Sequence, residues 1–258
     1  MSEQRLPVVF FGHGSPMNAL GGCYAEVWAK MGESLPKPSA ILMVSAHWYV
    51  EGVAVTAMET PRTIHDFYSF PDELYKISYP APGEPALAVR AAGLIAPEPV
   101  AFDLEWGLDH GTWSVLTHLY PEADVPVVQL SIDSRRAPAF HFEIGRRLQP
   151  LRDEGVLIAG SGDVVHNLRA TRVGALAHDW AVRFDDFVRR TLENGPREAL
   201  IDYLALGEDA ALSVPTPEHY LPLLYVLGAA DADEPVHFYN DEIDLGAISM
   251  MSAVIGVP

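Results

Sequence analysis

Short apolar or β-branched runs recur along the chain at Val8–Phe11, Ile41–Ser45, Val53–Met58, Val127–Ile132 and Val156–Ala159. Each has the length and composition of a buried strand. Between several of them, apolar residues fall at spacings of three and four, over Tyr24–Met31, Pro85–Ile95, Thr112–Leu119, Ala137–Leu151 and His178–Leu192. That period predicts helices with one apolar face. Strands alternating with helices predict an α/β fold with a central, mostly parallel β-sheet flanked by helices. No repeat, low-complexity tract or linker interrupts the pattern, so residues 1–258 are expected to form a single domain. A last helix is predicted in SVPTPEHYLPLLYVLG, with Thr216 as N-cap and Pro217 in the first position. Pro222 would then fall in its second turn, where proline strains a helix.

Composition narrows the function classes. Lys+Arg of 17 against Asp+Glu of 35 gives a formal net charge of -18, which argues against nucleic acid or an anionic membrane as partner. Asp231, Asp233, Glu234, Asp241, Glu242 and Asp244 crowd one segment, expected to be a solvated surface. The single cysteine, Cys23, excludes an internal disulfide and suits a reducing compartment. No signal peptide or membrane-length apolar stretch is evident, so a cytoplasmic protein is expected.

In open α/β sheets ligands bind at the carboxyl ends of the strands, and several of the ten histidines fall there. His13 lies between two glycines one residue after the first apolar run, His47 follows the second in VSAHW, and His166 follows a later one in IAGSGDVVHN. His219 stands near the start of the last predicted helix. A phosphate cradle is excluded at GHGSPM, which lacks a third glycine and any G-K-[ST]. No serine occupies G-x-S-x-G and no H-E-x-x-H occurs, against a serine hydrolase and a zinc peptidase respectively. His141 and Glu143 form an H-x-E pair, but i and i+2 on a helix face apart, so they read as surface or partly buried helix. Three dispersed imidazoles with open positions make a catalytic metal site, and His13, His47 and His219, with His166 nearby, are the candidates. Trp48 and Tyr49 could wall an aromatic pocket, and His65 could line its entrance. His110 sits in GLDHGTW, where Asp109 could orient an imidazole. His118, His178 and His237 read as structural.

GHGSPMNAL, VSAHW, TPRTIHDFYSFP, YPAPG, LDHGTW, VQLSID, GSGDVVHNLR and SVPTPEHYLPLLYVLGA, in that order, resemble the class III extradiol ring-cleavage dioxygenases, in their 4,5-DOPA extradiol dioxygenase-like branch. The resemblance runs from about Pro7 to Gly256. It implies a non-haem Fe(II) enzyme that uses O2 as co-substrate to cleave a small catechol beside its hydroxyls, giving a yellow semialdehyde. By motif it implies His13, His47 and His219 as metal ligands, His166 as acid/base or fourth ligand, and His110 as a histidine of the substrate cavity. The wider superfamily commonly uses two histidines and a glutamate, so Glu218 is the alternative to His219. An all-histidine site also attracts zinc, and Zn(II) is the alternative metal. Two other readings stand beside this one: a zinc-dependent hydrolase on the same histidines, and a non-enzymatic binding protein of related fold. Arg62, Arg135, Arg136 and Arg169 are all open as partners for a substrate carboxylate. The oligomeric state is open too.

Overall fold

The computed structural model describes residues 5–257. Among the described residues there are ten strands: β1 (Val8–Gly12), β2 (Ala40–Val50), β3 (Val53–Thr56), β4 (Val100–Asp103), β5 (Val127–Asp133), β6 (Val156–Gly162), β7 (Val236–Tyr239), β8 (Ile243–Asp244), β9 (Ile248–Ser249) and β10 (Ser252–Ile255). Seven α-helices accompany them: α1 (Cys23–Ser34), α2 (Pro85–Ile95), α3 (His110–Leu119), α4 (Pro138–Leu148), α5 (Asp179–Asn194), α6 (Glu208–Ser213) and α7 (Leu221–Ala229). Eight strands form one sheet in the order β4-β3-β5-β2-β6-β1-β10-β7, and β8 and β9 make a separate pair. The central run β5-β2-β6-β1 is parallel throughout. The antiparallel pairs β1–β10, β10–β7 and β3–β5 lie towards the two edges.

Alternation along the strands explains why both faces are covered. In β1, Val8 and Phe10 pack into the core beneath α4, α5 and α7, while Val9 and Phe11 pack into the core beneath α1 and α3. In β2, Leu42 and Val44 repeat the first set and Ile41 and Met43 the second. A strand buried on both faces reads as a continuous apolar run, and each β-carbon still points to its own layer.

Three expectations change. The last helix begins at Leu221 rather than after Thr216, which places Pro222 in its first turn, where its missing N–H has no partner to lose. Pro217 instead closes a turn, its carbonyl accepting from the N–H of Tyr220 and Leu221. The helix from Ala137 ends at Leu148 and continues as a 3-10 turn over Gln149–Glu154. The acidic C-terminal segment is no simple solvated run: Glu234 pairs with the buried Arg152, Asp231 with Arg5 at 3.1 Å and Asp241 with Arg189 at 2.5 Å. No described helix is long and apolar enough to cross a membrane.

Candidate metal centre

Five histidines converge at the carboxyl end of the central strands. His13 follows β1 directly, held by its N–H to the carbonyl of Gly162 at 3.1 Å and by Asn18 Nδ2, which donates to its carbonyl at 3.1 Å. Gly14 turns the chain away at φ +58°, a conformation glycine adopts without strain. His47 lies inside β2 rather than after it. The β2–β5 register slips between Val44 and Tyr49, and such an irregularity re-aims a side chain at a strand's functional end. His110 opens α3, whose N-cap is Asp109. His166 follows β6, its N–H donating to the carbonyl of Ser213. His219 stands two residues before α7.

The ring centroids of His13, His47 and His219 lie 5.0, 5.4 and 5.2 Å apart pairwise. Among the described residues three donor sets bring one ligand atom of each member within 4.8 Å of the others: His13–His47–His110, His13–Asp163–His219 and His166–Glu218–His219; the expected trio His13, His47 and His219 is split between them.

Hydrogen bonding fixes which nitrogens are open. Ser161 Oγ donates to the carbonyl of Gly111 at 2.5 Å, so its oxygen is left to accept from His13 Nδ1–H at 3.0 Å. The neutral imidazole of His13 therefore carries its lone pair on Nε2. His47 Nδ1 is 3.3 Å from Asp66 Oδ2. Burial works to raise the Asp66 pKa, but hydrogen bonding and charge from His110 outweigh it and hold the carboxyl at about 2. An ionised carboxylate at that distance favours a proton on His47 Nδ1, which would leave its Nε2 open too. The two Nε2 atoms face each other at 3.1 Å. Two lone pairs so placed repel unless a cation lies against both. Two nitrogens each about 2.0–2.1 Å from one ion can span such a gap.

Asp163 adds a buried carboxyl to this space. Its Oδ1 accepts from Gly14 N–H at 3.0 Å, while the buried Oδ2 has no hydrogen-bond partner and lies 3.8 Å from His13 Nε2. Burial pushes its pKa well above the usual carboxylate range, with the Gly14 hydrogen bond opposing. Imidazoles beside carboxylates are donors that suit zinc or iron, so the residues present fit a divalent metal.

The remaining contacts distribute the expected roles unevenly. His219 Nδ1 is 3.2 Å from Glu218 Oε1, so Glu218 orients that imidazole, a partner beside the ring as much as a rival donor. His166 stacks on His219 at 3.5 Å and 7°. His110 lies 3.9 Å from His47, with Phe67 edge-on to it at 5.5 Å. Asp109 does not orient His110: its carboxylate accepts from Ser45 Oγ at 2.7 Å, Gln129 Nε2 at 2.7 Å and Thr112 N–H at 3.1 Å. Asp66 takes that place, and neither it nor Asp163 stood out in the sequence. The motifs IHDF and GSGD held the only trace of them.

Trp48 stacks on Trp106 at 5.5 Å, and Tyr49 donates to the carbonyl of Ser134. His65 sits among Phe67, Tyr75 and Trp113, with Nε2 3.0 Å from the Ile77 carbonyl. His141 is fully buried against Tyr225 Oη, while Glu143 pairs with Arg146 and Arg147, which removes the H-x-E pair as a donor set. Arg62 donates to the Trp106 carbonyl, Arg135 pairs with Asp133 and Glu51, and Arg136 with Glu98.

Close approach positions His219. A β-carbon on Gly162 would lie 2.1 Å from the His219 carbonyl, which also accepts from Asp163 N–H at 2.9 Å. Gly162→Ala is expected to destabilise the fold by about 1–3 kcal/mol and to weaken zinc binding by pushing His219 out of place. Thermal melts with chelator competition check both, and unchanged affinity would show that His219 is not held through this contact.

Burial lowers the imidazole pKa values, to about 3 for His47 and about 4 for His166, with His13 and His219 also pushed well down. Buried His141 falls to about 4 as well. Each such group binds a proton in the unfolded chain near pH 6.5 and in the folded chain only far below it. The metal-free protein is therefore expected to lose stability as pH falls from about 6.5 towards 4, by about 1.4 kcal/mol per pH unit for each histidine. Asp185, raised by burial to about 6 against its Ser249 hydrogen bond, works in the opposite sense over the same window, as do Asp163 and Asp109, which burial also raises. The five histidines outnumber these three carboxyls. Denaturant melts at pH 7, 6 and 5 read the slope, and a flat profile would contradict these buried, neutral imidazoles.

Over 263 residues the chain is 53% identical to the 4,5-DOPA dioxygenase extradiol of Escherichia coli K12, covering 99% of this chain and 97% of that protein. It is 38% identical to the 4,5-DOPA dioxygenase extradiol of Beta vulgaris, covering 96% of each. The crystal structure of an uncharacterized protein from Escherichia coli K12 superposes with a TM-score of 0.86 at 49% identity, over 98% of this chain and 100% of that one. Residues 15–256 match the family described as the catalytic LigB subunit of aromatic ring-opening dioxygenase, and with its histidine cluster at the strand ends the chain belongs to that LigB family.

Proposed function

We propose that the chain opens the ring of a small catechol, DOPA or a near analogue, with O2, on Fe(II) held by His13, His47 and His219. The observation that carries this reading is the pair of Nε2 atoms, of His13 and His47, facing each other across 3.1 Å beside His219. Bound there, Fe(II) would supply a Lewis acid that favours the ionised catechol and an electron-transfer partner for O2. Zn(II) suits the same donors and is the alternative occupant.

His166 is the base. Its ring lies parallel to that of His219 at 3.5 Å, so the in-plane lone pairs of the two lie in parallel planes, although one donor atom of each, with Glu218, lies within 4.8 Å of the others. The parallel planes favour a proton-transfer role over a fourth ligand. Burial keeps it neutral at pH 7, against the pull of Glu218, and a neutral imidazole accepts a proton from the second catechol hydroxyl. His110 lies beside His47, with Phe67 as an aromatic wall, and its role is to hold a catechol oxygen and return a proton. The chain acts as one catalytic unit, and the lone, exposed Cys23 suits a reducing cytoplasm.

Anaerobic reconstitution with Fe(II), addition of a catechol panel including L-DOPA, and admission of air test the reading. Oxygen uptake with a yellow product is expected. No uptake with any catechol, together with zinc-dependent ester or amide cleavage, would replace it by the hydrolase reading.

A further inference from the structure

Asp66 lies in the long connection between β3 and α2, outside the strand-end loops that carry the histidines. Its segment is tied to the loop before α3 by the Thr63–Leu108 bridge and by reciprocal backbone hydrogen bonds, Ile64 N–H to the Leu108 carbonyl and Leu108 N–H to the Arg62 carbonyl. Trp113 Nε1 donates to the Ile64 carbonyl at 2.7 Å and pins the same stretch. The carboxylate thereby reaches two imidazoles at once. Oδ2 lies 3.3 Å from His47 Nδ1 and Oδ1 lies 3.0 Å from His110 Nδ1. Oδ1 also accepts the His110 backbone N–H at 2.9 Å, its best-aligned donor, the ring nitrogen lying off the hydrogen-bond line.

We propose that Asp66 is a positioning residue that fixes both His47 and His110 as Nδ1–H tautomers, so that one carboxylate sets the open Nε2 of the metal-side and the substrate-side histidine together. The assignment of those two sides rests on the function proposed above. The tautomers themselves do not.

The chemistry follows from what a carboxylate can do. An ionised carboxylate only accepts, so any imidazole nitrogen against it is stabilised as N–H, and the lone pair is left on the other nitrogen. With two rings on one carboxylate, moving the segment or neutralising its charge changes both together. A group that merely anchored the loop would need only the backbone contact of Oδ1. The second oxygen, on His47, has no such use.

Asp66→Asn separates the two roles. The amide keeps an oxygen for the His110 N–H, and its NH2 replaces the oxygen facing His47. An NH2 there donates and demands a lone pair on His47 Nδ1, which sends the proton to Nε2.

Long-range proton–nitrogen-15 spectra of the metal-free protein, assigned with His47→Asn and His110→Asn, read the tautomers directly. Both histidines are expected as Nδ1–H in the wild type, and His47 as Nε2–H in Asp66→Asn. Zinc affinity, measured against a chelator, is expected to fall about 10- to 100-fold in that variant, while Asp66→Glu recovers part of it. A wild-type spectrum with His47 protonated on Nε2 overturns the proposal without any variant having to fold. So does an Asp66→Asn protein that keeps both tautomers and its zinc affinity. None of these readouts uses a catechol, so a failure of ring opening is seen separately from a failure of Asp66.

Discussion

His13→Ala is expected to abolish both metal binding and turnover, with kcat at least 1,000-fold below the wild type, on the order of removing a group the reaction cannot proceed without. His13 belongs to two of the three donor sets, so no regrouping of the remaining histidines restores the pair of facing nitrogens. Its replacement also frees Ser161 Oγ of its donor and widens the space in front of the already unpartnered Asp163 Oδ2. The fold should survive, because the strand that carries His13 is held by Val8, Val9, Phe10 and Phe11 in the two cores. Metal content by elemental analysis and oxygen uptake with L-DOPA check the loss, and circular dichroism checks the fold. A variant that keeps full metal content would place the centre elsewhere.

His166→Ala should behave differently. Metal content is expected to stay near that of the wild type, while kcat falls by about 100- to 10,000-fold, the usual contribution of a general acid or base. KM for the catechol should change much less. The reason is geometric: His166 lies face to face with His219 and offers its nitrogens in a parallel plane. Unchanged turnover would remove it as the base, and loss of metal would make it a ligand.

Much of this was legible because the decisive signals are local. The runs at β1, β2, β5 and β6 are strand-length and apolar, and a histidine between glycines after the first of them announces a site at the strand ends. The resemblance to extradiol dioxygenases rested on similar short motifs. What was hidden depends on distant pairing. Asp66 meets His110 across 44 positions, and Asp163 meets His13 only because β6 lies beside β1. The register slip that aims His47 into the site leaves no mark in ILMVSAHWYV, since an irregularity within a buried strand is made by its partner as much as by itself. Among the C-terminal strands, β7 and β8 lie among acidic neighbours, and β9 and β10, at two and four residues, are too short to announce themselves. Glu234 looked like surface because its partner, the buried Arg152, is 82 residues away.

The central claim is that His13, His47 and His219 hold the metal, and metal stoichiometry across single alanine variants of the five clustered histidines tests it most directly. One Fe(II) per chain is expected in the wild type, His110→Ala and His166→Ala, and none in His13→Ala, His47→Ala and His219→Ala. Loss of the metal in His110→Ala with retention in His219→Ala would contradict the account and move the centre to His13, His47 and His110.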